Sequence, residues 1–429
     1  MEEVQGIVSD EVKAKKPIPL AIALIVGALM LALGLVGCAQ EEPAVEEPAV
    51  ELSQAASEYW QDRFPAQVAS YLRTTEMTET AHAGSVPYQK LDEYPFMRAM
   101  YHGFGFWFDF RESRGHLFAV EDTMISGRPK FGGVCWACKS ADYPALVAEY
   151  GETELNTMLW SEAADKTTHP VACIDCHDAE SPDFELTLTR PWLEEAIVAQ
   201  GKTLEDFDMR SLVCAQCHSE YYFEAPGVEN RIVFPWSVGF TAEDALAHVD
   251  AEGFSDWTHP RTGAGVLKAQ HPEFEFYQDS IHEQLGLQCA DCHMPKARDA
   301  ENNEYTSHWL TSPLLTVEPS CLGECHADGD AIITRTEDLQ SEIRTEANAI
   351  GTDLETAINA LRDARRNPEA DQALIRQAQA QHRRAQTLLD WILVENSTGF
   401  HDGAEARETL AGARKATDEM ARLTQASLQ

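Results

Sequence analysis

Ten of the eleven cysteines in this chain fall into five close pairs, and few folds accommodate that pattern. Three pairs read Cys-x-x-Cys-His: Cys173, Cys176 and His177; Cys214, Cys217 and His218; Cys289, Cys292 and His293. Two thiols about one helical turn apart reach the two vinyl groups of one porphyrin, and the adjacent imidazole then falls on the iron. This is the c-type haem attachment signature. A fourth pair, Cys135 and Cys138, is followed by Lys139 instead of histidine. A fifth, Cys321 and Cys325 with His326, carries one extra residue between its cysteines. A disulfide framework would not place cysteines in pairs followed by His or Lys. Zinc is a remote reading, because each pair brings its own axial ligand. Five covalently bound haem c groups are expected, with attachment least secure at the enlarged Cys321 site.

Covalent haem attachment takes place outside the cytoplasm, and the start of the chain agrees. Lys13, Lys15 and Lys16 precede an apolar run from Ile18 to Val36, ending in Leu35-Val36-Gly37-Cys38. A positive region, an apolar stretch and small residues before a cleavage point describe a secretory signal over 1–37. The one unpaired cysteine, Cys38, stands where a lipoprotein signal needs it, so lipidation and a membrane tether are expected there. The alternative is a retained membrane anchor, since the run approaches the ~20 residues that span a bilayer. Both place the protein on the extracytoplasmic face of the membrane.

The formal net charge of −38 argues against a nucleic-acid partner, since phosphate binding needs clustered Lys and Arg. Residues 38–57 are acidic and Pro-interrupted, and read as a disordered linker. Residues 58–330 mix short helices with loops rich in Pro, Gly and aromatics. From 331 to 429 the chain turns to Ala, Leu, Glu, Gln and Arg with helical spacing, as in Leu339, Ile343, Ala347, Ile350, Leu354, Ile358 and Leu361. Breaks at Asn367-Pro368 and at Gly399 with Gly403 predict long helices over 331–366, 369–395 and 403–427. They cap the haem body or form a dimer interface. The fold class expected is mainly α: a multihaem cytochrome c fold of short helices and loops around five haems, then long C-terminal helices.

With these motifs in view, the chain resembles the pentahaem cytochrome c nitrite reductases, the ammonia-forming type, from about residue 90 onward. The resemblance is carried by Cys135-Trp136-Ala137-Cys138-Lys139, Arg114-Gly115-His116 and Cys217-His218-Ser219-Glu220-Tyr221-Tyr222-Phe223. It continues in Leu267-Lys268-Ala269-Gln270-His271-Pro272-Glu273, Cys292-His293-Met294-Pro295-Lys296 and Ser397-Thr398-Gly399-Phe400-His401. The family has Cys-x-x-Cys-His where this chain has its enlarged fifth site.

The resemblance implies roles residue by residue. Lys139 would be the proximal ligand of the catalytic haem, with Arg128, Tyr221 and His271 in the distal pocket. Glu220 and Gln270, with the carbonyls of Tyr221 and Lys268, would bind calcium. His177, His218, His293 and His326 would be proximal ligands. Their distal partners by position would be His308 for the second haem, His116 for the third, His401 for the fourth and His282 for the fifth. His102 is the rival to His116. A membrane-bound multihaem quinol-oxidising cytochrome is implied as electron donor, and a homodimer as the assembly.

The chemistry is coherent. A bis-His haem is saturated and passes electrons, whereas the Lys139 haem keeps one position open. A ligating lysine has to be neutral, because its ammonium form has no lone pair. Taking nitrite nitrogen from +3 to −3 requires six electrons, which packed haems supply. Arg128 would hold the anion, Tyr221 donate a hydrogen bond and His271 act as the proton source at neutral pH. Two other readings remain: a multihaem electron conduit without a substrate, and a related reductase of hydroxylamine, sulfite or tetrathionate.

Overall fold

The computed structural model describes residues 52–76, 82, 86, 88–322 and 325–429. The signal-type segment, Cys38 and most of the acidic spacer lie outside the described residues. The spacer expected through residue 57 overruns the fold, because Ala55 and Ser57 are buried and Trp60 Nε1 donates to Gln54 O at 2.9 Å. Among the described residues no helix is long and apolar enough to cross a membrane.

The architecture is mainly α. Between residues 52 and 321 the helices are short, from single turns to Ala242–Ala251, joined by loops. Strand is confined, among the described residues, to three two-stranded antiparallel ribbons: Tyr222–Glu224 with Arg231–Val233, Trp257–Thr258 with Gly265–Val266, and Lys296–Arg298 with Glu304–Thr306. Short elements suit a body whose interior is left for large groups.

Three long helices follow: Gly329–Arg366, Gln372–Val394 and Gly403–Ala426. Each starts on an aspartate that caps the orphan N–H groups of its first turn. Asp328 accepts from Ala331 N, Asp371 from Ala373 N and Leu374 N, and Asp402 from Ala404 N and Glu405 N. The first stops at Arg366, just before the Asn367-Pro368 break. Asp371 N donates to Ser427 O at 2.8 Å, so the second helix begins where the third ends and the two run antiparallel. Arg407 pairs with Glu342 and Arg414 with Glu346 and Asp353, so the third runs parallel to the first.

The composition change near residue 330 does not divide two bodies, and Val50–Gln429 is one compact unit. Ile343, Ala347, Ile350, Leu354, Ile358 and Leu361 are buried as their spacing predicts, and they share one core with Leu91, Phe96, Met97, Met100 and Tyr101. Gly351 shows how close that contact is, since a Cβ there would lie 2.3 Å from the Phe96 ring. Gly351→Ala is therefore expected to lower the thermal midpoint. Alanine gains about 1 kcal/mol of helix propensity, but overpacking costs about 1–3 kcal/mol. A raised midpoint on calorimetry would count against a rigid contact here.

Candidate active site

The first attachment site is built on a close backbone approach. Gly132 has φ of +149°, and a Cβ on Gly133 would meet Leu155 O at 2.0 Å. The turn Gly133–Trp136 follows, and Trp136 is fully buried, stacked on Trp160 with ring centroids 5.5 Å apart. Lys139 N donates to Trp136 O at 3.0 Å, so Cys135, Cys138 and Lys139 leave one tight turn together. At the second and third sites the histidine N–H closes back on the first cysteine: His177 N to Cys173 O and His218 N to Cys214 O, each 2.9 Å. The fourth lies on the helix Cys289–His293. The fifth differs, because its helix Val317–Cys321 ends on the first cysteine. Leu322 then bridges to His326 and Cys325 is exposed.

These sites line one cavity of about 2610 Å³, several times the ~300–1,000 Å³ of a small-molecule pocket. Cys138 lies near enough to Cys217, and Cys214 to Cys289, for each thiol to influence the other, so sites one, three and four adjoin. The histidine spacing tests whether haem fits. With a metal–nitrogen bond of about 2 Å, two imidazoles on opposite sides of one metal have centroids about 6 Å apart. His177 and His308 are 6.2 Å apart, His116 and His218 6.1 Å, and His293 and His401 6.3 Å. His282 lies near enough to His326 and His401 to feel their charge. The residues fit haem groups bridging these rings.

Outer partners orient several of the rings. His177, His308 and His293 each place Nδ1 on a backbone carbonyl, of Phe184, Thr306 and Thr311. His401 Nδ1 lies 2.7 Å from the carboxylate oxygen Oε1 of Glu395, outside hydrogen-bonding angles. Such neighbours fix ring orientation and ligand basicity. His218 also has a second ring at ligand spacing, His271 at 6.2 Å. His102 packs on Trp107 and lies 6.1 Å from His259. Both nitrogens of His259 are engaged, with Ala99 O and with Thr262, so that pair holds no metal.

Arg128, Tyr221, His271 and Lys139 line the same cavity. The Arg128 guanidinium lies 4.2 Å from the Phe106 ring centroid and makes no hydrogen bond or ion pair among the described residues. Burial pushes its pKa down, while Cys135, Tyr221 and Asp109 pull it up. It is a cation facing space. Burial, then Cys138, Cys135 and Glu220, push the Tyr221 phenol well up, so it stays protonated. His271 Nδ1 is buried without a hydrogen-bond partner. Burial, then Lys139 and His218, hold His271 well below the usual histidine range. Burial, the first of these causes, favours the neutral form of the imidazole.

The candidate calcium residues also converge. Glu220 is buried, its Oε2 accepts from Gln270 N at 2.5 Å, and Gln270 Nε2 donates to Lys268 O at 3.0 Å. Glu220 N donates to Glu275 Oε1 at 2.8 Å, while Glu275 Oε2 is buried without a partner. Burial pushes the Glu220 carboxyl well up and that of Glu275 up to about 8. Buried carboxylates of this kind carry a proton or neutralise a cation, and the oxygen donors are those calcium takes. Among the described residues no three of His, Cys, Asp and Glu converge as a metal site, so the set depends on carbonyl and amide oxygens.

Asp390, on the second long helix, reaches the same region. It accepts from Ala269 N at 3.0 Å, from Tyr101 OH and from Lys268 Nζ at 3.3 Å, bracing the backbone just before Gln270 and His271. Sequence reasoning missed it. The available signal was one acid inside the apolar run Leu388-Leu389-Asp390-Trp391-Ile392.

A family model described as cytochrome c552 matches residues 56–429. The cytochrome c nitrite reductase subunit NrfA of Nitratidesulfovibrio vulgaris is 32% identical over 441 residues, covering 90% of this chain and 83% of that one. This chain belongs to the pentahaem cytochrome c nitrite reductase family. A cytochrome c-552 of Bacteroides thetaiotaomicron is 37% identical over 290 residues, covering 65% of this chain and 58% of that one. The catalytic subunit of cytochrome c nitrite reductase from Desulfovibrio desulfuricans, described for its two calcium sites, superposes with a TM-score of 0.81. It is 28% identical, with 88% of this chain and 87% of that one covered. As a nitrite reductase family member the chain is an oxidoreductase carrying multiple covalent c-type haems.

Proposed function

We propose that this member of the family reduces nitrite to ammonium, with six electrons, at a haem held by Cys135 and Cys138 and ligated by Lys139. The observation that carries the reading is an unpaired guanidinium, Arg128, in one cavity with Lys139, Tyr221 and His271. A haem held there would supply the site of nitrite reduction, and haems held by the four Cys/His sites would supply its electrons. His308, His116, His401 and His282 serve as the distal ligands of those four, and His271 stays free.

Arg128 binds the anion and donates N–H bonds to its oxygens, favouring loss of the first oxygen. Tyr221 donates its O–H. His271, neutral at rest, takes a proton from solvent and passes it to the leaving oxygen. Glu220 and Gln270 hold calcium together with the carbonyls of Tyr221 and Lys268. A half-turn of the Gln270 amide exchanges Nε2 for Oε1 toward the ion. Held by these groups, calcium would fix the loops that carry Tyr221 and His271. In the cell the protein is tethered outside the membrane through Cys38, works as a homodimer and draws electrons from a membrane-bound multihaem quinol-oxidising cytochrome.

The test is to purify the protein with its haems and measure ammonium formed from nitrite with a reduced dye as donor. Five haem masses should be attached, and ammonium should account for the nitrite consumed. Chelation should lower the rate and calcium restore it. Spectra with no high-spin haem, and no consumption of nitrite, would leave an electron conduit in place of the enzyme.

A further inference from the structure

Arg190 is buried, with its side chain 1% exposed, and lies among three attachment sites that are distant in sequence. Its Nε donates to Ala137 O at 2.7 Å and its Nη2 to Ser140 O at 3.0 Å. Those two carbonyls bracket Cys138 and Lys139. Nη2 also donates to Asp175 Oδ1 at 2.7 Å, and Nη1 to Thr189 Oγ1 at 2.6 Å. Asp175 stands between the cysteines of the second site, where its other oxygen accepts from Ala172 N. Gln216 stands between the cysteines of the third. Its Nε2 donates to Asp175 O at 2.7 Å and its Oε1 accepts from Thr189 N at 3.0 Å. Asp175 of the second motif and the two carbonyls about Lys139 thus meet on one guanidinium, and Gln216 of the third motif joins them through Asp175 and Thr189.

Haem attachment does not require this arrangement, since thioethers and axial ligands come from other side chains. An apolar side chain would fill the space with less desolvation cost. What arginine adds is a rigid fork and a permanent charge. The fork holds the Lys139 turn from behind at two carbonyls. Both charges reach Cys176 and Cys217, but at Cys138 the guanidinium is the one felt and at Cys173 the carboxylate of Asp175. A nearby cation favours the reduced state of a haem and an anion the oxidised state. The ion pair is therefore oriented across the haem array, with its positive end on the Lys139 site and its negative end on the second.

We propose that Arg190 is a positioning residue that fixes the Lys139 turn and, paired with Asp175, raises the reduction potential of the Lys139 haem above that of the second haem. The proposal rests on Lys139 being an axial ligand. An electron gained by the Lys139 haem would be one lost by another haem of the array, and the ion pair gains and loses nothing.

The test uses haem-loaded full-length protein, with R190Q and R190K beside wild type, followed by electron paramagnetic resonance and a redox titration. In both variants the high-spin ferric signal should broaden into more than one species, since neither side chain supplies the fork. In R190Q its midpoint should fall by about a tenfold change in electron partition, about 59 mV for one electron. In R190K, which keeps the charge, it should stay near wild type. Should R190Q not accumulate with haem, D175N carries the test. It keeps an oxygen for Arg190 but removes the anion, so the midpoint should rise. Variants with the wild-type line shape and midpoint overturn the proposal alone. Wild-type protein without a high-spin haem overturns the Lys139 reading and this proposal with it.

Discussion

Arg128→Ala is expected to cut nitrite turnover by about a hundredfold or more, with every haem still attached. The guanidinium lies on the Phe106 ring and has no partner among the described residues, so its removal strips the cavity of a preorganised donor. Losing one such donor costs about 10²–10³ in kcat. The high-spin ferric signal should persist in the variant, because the axial ligand is untouched. Arg128→Lys should recover part of the binding and little of the turnover, since lysine offers a point charge without the two-pronged geometry. Steady-state rates with nitrite over a concentration series, beside the spectrum, separate these effects. A variant with wild-type kcat and raised KM would make Arg128 a binding group only.

Lys139→His is expected to retain its haem and still lose nitrite reduction, by about tenfold or more. Imidazole binds iron, so attachment through Cys135 and Cys138 survives if the maturation machinery accepts the altered site. The axial ligand sets the electronics of the opposite face, and that is what the reaction uses. In wild-type protein, nitrite or cyanide should perturb one high-spin signal and leave the low-spin signals nearly untouched. In the variant the same ligands should bind with altered affinity and line shape. Unchanged rates in Lys139→His would remove the lysine from the mechanism and leave Arg128 and its neighbours to explain the activity.

Covalent spacing and helical period were legible in the chain itself. Five cysteine pairs state their own chemistry, because each attachment site is a run of five or six residues. The apolar stripe of the first long helix states its buried face for the same reason, and the Asn367-Pro368 break its end. The resemblance supplied the distal residues, and the structure brings Arg128, Tyr221, His271 and Lys139 to one cavity. It did not supply the state of His271, which depends on burial and on Lys139 and His218 nearby. Nor did composition show that the long helices share a core with the haem body, since a stripe does not name the surface it packs on.

The sequence by itself determined where the five cysteine pairs stand, that Lys139 follows one of them in place of histidine, and which segments become long helices. These are properties of neighbouring residues, fixed by bond lengths and by the period of a helix. The resemblance named His116 for His218 and His308 for His177, and the tertiary structure sets those rings 6.1 and 6.2 Å apart. It alone brought Asp390 against Lys268 and Arg190 between Ala137 and Asp175. A single Asp or Arg carries no motif, and its role arises when the fold sets it beside buried partners 15 to 122 residues away in the chain.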